Sequence, residues 1–308
     1  MIRAVAVMGT IVTIHVVDRQ RNGEAGVPDD QDEAIDRALE WFARVETCCS
    51  RFDPGSELMQ LSSQIGVAVP VSEMLYQVVQ FARAVAEETG GAFDPTVGRE
   101  METRGFNREH RTRQVVRTPL AAAGAVSYRD IDLDPVRRTV ALRQPLILDL
   151  GAVAKGFAID MATRELLPFR DFAVDAGGDL YLGGGGPTGA PWSIGIRHPR
   201  RDGKLIESLR VSNAAVCTSG DYERRSADAL QHHILDPRTG GSPDAAASVT
   251  VVAPTAMAAD ALATAAFVLG PRDGIALLER QTVEGLIVST SLERYETRGM
   301  ASAYACGG

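Results

Sequence analysis

Apolar residues recur at helical spacing in two long stretches of the chain. Residues 32–46 carry Ile35, Leu39, Phe42 and Val45 on one helical face, and residues 72–89 carry Leu75, Val78, Val79, Ala82 and Val85, with Gly90-Gly91 as the stop. Both predict amphipathic helices that face a core. Further helices are predicted over 157–167, 256–269 and 273–281, with Gly270-Pro271 ending the second of these three. Strand-like runs mark 4–17, 192–198, 205–211, 249–253 and 286–289, and 131–142 reads as a hairpin turning at Asp134-Pro135. Residues 20–31 are polar and contain Gly23, Gly26 and Pro28, the composition of a loop.

The organising stretch is 146–157. Residues 146–150 are apolar apart from Asp149 and read as a core strand whose end reaches a site; Gly-Ala-Val-Ala-Lys-Gly (151–156) reads as a turn into the helix at 157. Two glycines permit close backbone approach, and Lys155 lies near a helix start, where free N–H groups favour an anion. A phosphate site and a plain turn with a solvent-facing lysine both fit, since the Walker spacing is absent.

Composition narrows the class. The chain has 308 residues, 45% hydrophobic and 23% charged, an ordinary balance for a folded globular protein. A net charge of -8 without a dense Lys/Arg stripe argues against a nucleic-acid or anionic-membrane partner. Cys48, Cys49, Cys217 and Cys306 show neither Cys-x-x-Cys nor zinc spacing, which favours a reducing compartment. Residues 4–17 are interrupted by Thr10, Thr13 and His15 at strand spacing, unlike a secretory core, and no segment reaches the roughly 18 uninterrupted apolar residues of a membrane helix. No repeat and no long linker divides the chain, so one domain over 1–308 is expected.

Several short motifs carry candidate chemistry. Asp260 and Thr264 are four apart on a predicted helix, placing two hard oxygen ligands on one face as Mg²⁺ accepts, though the spacing also recurs by chance. His232-His233 beside Asp236 is a candidate base or a structural pair. If that segment is a strand, the two rings point to opposite faces. Thr218-Ser219-Gly220 offers hydroxyls to a phosphate or shapes a turn, and Asp94 before Pro95 is a ligand contact or a capped turn.

Taken in order, Met8-Gly-Thr10, Phe52-Asp-Pro with Ser56-Glu-Leu58, Gly91-Ala-Phe-Asp-Pro-Thr-Val-Gly98, Asp149-Leu-Gly-Ala-Val-Ala-Lys-Gly156, Gly177-Gly-Asp179, Thr218-Ser-Gly-Asp-Tyr222, His233-Ile-Leu-Asp-Pro-Arg-Thr-Gly240 and Ala259-Asp-Ala-Leu-Ala-Thr264 closely resemble the FAD:protein FMN transferases, the ApbE family. The resemblance spans about residues 7–289. It implies an α+β fold with mixed or antiparallel sheets flanked by helices. It also implies an enzyme that cleaves FAD with Mg²⁺ and attaches FMN, through its phosphate, to a Thr or Ser hydroxyl of an acceptor flavoprotein. An FAD pyrophosphatase using the same site, or an FAD-binding protein without activity, are the alternatives. By position, Met8, Ala92, Phe93, Asp94, Asp149, Lys155 and Ser219 would contact FAD; the Ala152 carbonyl, Asp260 and Thr264 would hold Mg²⁺; His233 would be the base. Two departures stand out. Gly98 is followed by Arg-Glu-Met-Glu-Thr-Arg where a more apolar stretch is expected, and only seven residues precede Met8 where relatives carry an export segment, so a cytoplasmic site of action is expected.

Overall fold

The computed structural model describes residues 1–17, 31–109, 112–119, 124–223 and 232–300; the predicted loop at 20–31 lies almost wholly outside them, as does Cys306. Six helices are present among the described residues: α1 (Gln31–Cys49), α2 (Glu57–Ser62), α3 (Glu73–Glu88), α4 (Gly98–Thr103), α5 (Gly151–Leu166) and α6 (Ala256–Arg280). The apolar faces read from periodicity in α1 and α3 are buried: Ile35, Phe42 and Val45 on the first, Leu75, Val78, Val79 and Ala82 on the second. Each of the larger side chains among these contributes about 1.5–3 kcal/mol relative to exposure. Ser72 caps α3 by accepting from Leu75 N–H, and Gly90 and Gly91 follow its end with φ of 61° and 83°, the left-handed geometry that terminates a helix.

An eight-stranded sheet is the backbone of the fold. Its order is β1 (Ile2–Val7), β2 (Thr10–Val16), β6 (Phe172–Ala176), β7 (Asp179–Gly183), β10 (Ala214–Gly220), β11 (Ala246–Ala253), β12 (Glu284–Ser289), β13 (Arg294–Glu296), every pair antiparallel. A small sheet joins β3 (Val69–Pro70), β5 (Thr139–Leu142) and β4 (Ile131–Asp134), the last two being the predicted hairpin. A two-stranded ribbon pairs β8 (Trp192–Arg197) with β9 (Leu205–Val211). The helices pack on one face of the large sheet, where Val12, Ile14, Val174, Val249 and Val251 meet α1, α3, α5 and α6. The opposite face is covered in part by the ribbon, through Ile196, Leu209 and Val211 against Val216, Val252 and Val288. Gly270, at φ 79° and ψ 179° before Pro271, breaks α6 into two helical parts, as the Gly-Pro pair predicts. The first part is packed between α5 and the sheet: α6 is long and apolar enough to cross a membrane, yet Ala259, Ala263, Ala266 and Phe267 sit in the core.

Four sequence expectations change in the structure. Residues 4–17 form a hairpin rather than one strand: Val7 pairs with Thr10, and Met8 (φ 52°) and Gly9 (φ 72°) supply the left-handed pair that a two-residue hairpin loop needs. Residues 146–150 are buried and extended but join no sheet; they run beside 95–98, with one bridge at Val97–Ile147 and a bond from Asp149 N–H to the Pro95 carbonyl at 2.7 Å. Residues 151–156 are the first turns of α5, not a turn before it. The glycine at 156 serves packing: a Cβ there would lie 2.5 Å from the Ala256 carbonyl oxygen at the start of α6. The described part of the His232 segment is an irregular arm closed on itself by an Asp236–Gly241 bridge, so strand alternation does not govern its histidines.

Candidate functional site

The N-terminal end of α6 rests against the middle of α5, and the contact is built from two residues of α5. Gly156 permits the close approach, and Asp160 accepts from Ala256 N–H at 2.7 Å and Met257 N–H at 3.0 Å, satisfying the first donors of α6. Thr255 completes the cap by accepting from Ala258 N–H. Burial pushes the Asp160 carboxyl up to about 6, against the pull of those two N–H groups and of Arg164.

Lys155, next to Gly156 on α5, faces Asp260, one turn beyond Ala256 on α6, with Nζ donating to Oδ2 at 3.1 Å. The same ammonium pairs with Asp179, which opens β7 directly after the Gly177-Gly178 turn, φ 67° and 95°. Asp179 is held in turn by Thr218 N–H at 3.1 Å. Next to Thr218 on β10, the Ser219 hydroxyl lies 3.2 Å from that of Thr264, one turn beyond Asp260 on α6. One cation thus faces two carboxylates and a pair of hydroxyls, so the cluster carries surplus negative charge and hard oxygen donors.

These groups line one wall of a cavity of about 690 Å³, a volume suited to a cofactor-sized ligand. Ala92, Phe93, Asp94, Asp149, Ala152, Lys155, Ser219, His233, Asp260 and Thr264 all line it. Met8 does not: it sits in the β1–β2 loop, packed on the helical core, with its N–H donating to Glu46 at 3.1 Å. That loop adjoins the cavity floor, because Thr10 packs against Gly177 so tightly that a Cβ there would meet its hydroxyl oxygen at 2.2 Å. Of the two histidines only His233 lines the cavity; His232 bonds the Pro243 carbonyl at 2.8 Å and sets its ring edge-on to Phe267.

Asp94 is committed to its turn. One carboxylate oxygen accepts from the Thr96 N–H and hydroxyl, the other from Tyr128 N–H, and burial pushes its carboxyl above the usual range despite these donors. Its neighbours Ala92 and Phe93, with Phe52 and Phe106, add apolar and aromatic surface to the cavity lining, and Arg51 lies over the Phe52 ring at 4.2 Å. Cys217, under α6 on β10, is fully buried, and burial first, then the nearby Asp260 charge, pushes its thiol well up, so it is an inert neighbour of the site.

Three further residues take part that the sequence assigned no role. Asp179, the last residue of the Gly177-Gly-Asp179 motif, is the second partner of Lys155. Arg51, only 5% exposed, donates from Nε to Asp149 at 2.7 Å and from Nη2 to the Phe106 carbonyl at 2.5 Å. Arg104, at the end of α4, reaches the loop after His233. The Phe52-Asp-Pro motif adjoins Arg51, and only the tertiary pairing reveals what these side chains hold.

A hard divalent cation fits this donor set. Asp260 and Thr264 supply a carboxylate and a hydroxyl on one helical face, Ala152 lies in the facing first turn of α5, and the Lys155 ammonium already occupies one Asp260 oxygen as a cationic stand-in.

Comparison with known proteins assigns the architecture. The sequence model of the ApbE family matches residues 8–287. The FAD:protein FMN transferase of Treponema pallidum is 34% identical over 90% of this chain and 80% of its own, and that of Haemophilus influenzae is 29% identical over 96% and 88%. The crystal structure of the ApbE protein of Thermotoga maritima superposes with a TM-score of 0.84 at 30% identity, and the flavin transferase ApbE of Vibrio cholerae with 0.81 at 27%, each covering 98% of both chains. With the family match running from the β1–β2 loop through α6 into β12, and so across every element of the charged cavity wall, the chain belongs to the ApbE family.

Proposed function

We propose that this protein, acting as one domain, is a Mg²⁺-dependent FAD:protein FMN transferase. FAD is its first substrate, and an acceptor flavoprotein offering a Ser or Thr hydroxyl is its second. The carrying observation is the convergence of Lys155, Asp179, Asp260, Thr264, Ser219 and His233 on one cavity that Phe52, Phe93 and Phe106 also line. A dinucleotide needs both: an apolar slot for a flat ring and a charged wall for its phosphates.

The roles follow from the side chains. Lys155 donates to a phosphate oxygen while Asp179 keeps the ammonium in place. Asp260, Thr264 and the Ala152 carbonyl would hold Mg²⁺, which when bound stabilises negative charge developing on the pyrophosphate. His233 accepts the proton of the acceptor hydroxyl as that oxygen bonds to the FMN phosphorus; the P–O bond to AMP breaks and its electron pair leaves with the AMP phosphate. A cytoplasmic site of action belongs to the same reading, supported by Cys48, Cys49 and Cys217 being free thiols.

The test is mass spectrometry of candidate flavoproteins incubated with the protein, FAD and Mg²⁺. An FMN-sized adduct on Ser or Thr, lost in excess chelator, supports the proposal. Release of FMN and AMP without any adduct makes the protein an FAD pyrophosphatase, and FAD retained uncleaved makes it a binding protein.

A further inference from the structure

The charged stretch after Gly98, where the resemblance leads one to expect apolar residues, has a use in the fold. α4 ends at Arg104, and Gly105 follows with φ 83°, turning the chain toward the cavity. Glu102 is taken up by Thr118, whose N–H and hydroxyl donate to it at 3.2 and 2.8 Å. Arg104 points the other way, across to the arm that carries His233. Its Nη2 donates to the Gly240 carbonyl and its Nη1 to the Ser242 hydroxyl at 3.2 Å. Ser242 passes the contact on, donating to the His232 carbonyl at 3.0 Å.

The outgoing limb of that arm is anchored from within: Ile234 and Leu235 are buried, Ile234 in the main core, and the His232 ring stands edge-on to Phe267. The arm closes on itself through Asp236 N–H to the Gly241 carbonyl at 2.8 Å and His232 to Pro243. The guanidinium fork of Arg104 adds a tie of a different kind, spanning two acceptors on the return limb and linking it to α4.

We propose that Arg104 is a positioning residue for catalysis: by bridging Gly240 and Ser242 it holds the His233 limb against the cavity wall. The inference rests on the reading of His233 as the base. Because a misplaced base costs roughly 10–100-fold in rate, Arg104→Ala lowers AMP release from FAD by about that factor, with FAD affinity within about twofold of wild type. Arg104→Lys keeps the charge and loses the fork, and falls between.

Two measurements decide it. The first is hydrogen exchange on the intact protein: Arg104→Ala speeds exchange of the described amides in 232–243 by about tenfold or more and leaves those of α5 and α6 at wild-type rates. The second is a double-variant cycle on AMP release in FAD and Mg²⁺, with and without a flavoprotein acceptor. If Arg104 acts through His233, then adding Arg104→Ala to His233→Ala costs nothing further. Unchanged exchange in the arm, or losses that multiply in the double variant, would overturn the proposal. Wild-type AMP release by His233→Ala alone sinks the base assignment instead, a result readable without any Arg104 variant.

Discussion

Lys155 on α5 and Asp260 on α6 meet at 3.1 Å, and the same ammonium is paired with Asp179 on β7. Three elements of the fold are therefore pinned by one nitrogen, and that nitrogen competes with any cation for Asp260. Removing it has two effects of opposite sign. Lys155→Met weakens FAD binding by about 10–100-fold, the range of one charge-assisted hydrogen bond. It also strengthens Mg²⁺ binding to the FAD-free protein, since Asp179 and Asp260 lose the ammonium that competes with the ion. Isothermal calorimetry with FAD and with MgCl₂ separates the two; equal FAD affinity in variant and wild type would return the lysine to a structural role.

His233 and His232 differ in surroundings and so in the consequence of loss. His233→Ala cuts transfer by ~10²–10⁴-fold with FAD still bound. His232→Ala keeps most of the activity and instead lowers thermal stability, because its bond to Pro243 and its edge contact with Phe267 are lost. Transfer by His233→Ala at the wild-type rate would assign the base elsewhere.

Gly156 is a packing glycine. A Cβ there would lie 2.5 Å from both the Ala256 carbonyl oxygen and the Met257 Cα, so Gly156→Ala forces the two helices apart. The expected cost is about 1–3 kcal/mol of stability, despite alanine's better helix propensity, and the Lys155–Asp260 distance grows with it. Thermal unfolding shows a Tm lower by several degrees; a Tm at or above wild type would mean that α6 yields at no cost.

Asp160 gives a pH signature. Its carboxyl is raised to about 6 by burial, above the ordinary carboxylate value, so between about pH 4 and pH 6 the folded state binds more protons than the unfolded state. Its stability contribution is full below that window and is lost as pH rises through about 6. Other carboxylates, such as Asp236 and Glu207, are held low by arginine partners and backbone N–H groups and slope the opposite way. The measurable quantity is therefore a difference: wild-type ΔG minus that of Asp160→Asn declines from pH 4 to pH 6.5. A flat difference would refute the shift.

Much of this site was legible before any coordinates. Helical periodicity placed Asp260 and Thr264 one turn apart, and the ordered motifs brought Lys155, Ser219 and His233 into one family pattern. What escaped the sequence was whatever depends on a partner far along the chain. Gly151 and Gly156 read as turn formers because glycine's usual meaning is backbone freedom; here Gly156 lies inside a helix and makes room for another helix. Residues 146–150 have the apolar content of a strand, but their backbone partner is the short loop at 95–98, which pairs through a single bridge before α4 begins and so extends no ladder. Arg51 and Arg104 carry no local mark at all, since an arginine within a charged or turn-rich segment is indistinguishable from a solvated one until its acceptors are known.

Lys155 and Asp260 are separated by 105 positions, and the α6 end of their contact is among the last parts of the fold to leave the ribosome. No fragment ending before α6 contains the charged wall, so a ligand that needs this wall recognises only the completed chain. A ligand of that wall, FAD on the function proposed above, then acts on the folding equilibrium as well as in the site: at one hundred times its dissociation constant, a ligand selective for the native state adds about 2.7 kcal/mol to stability. On that reading the substrate protects the chain that consumes it.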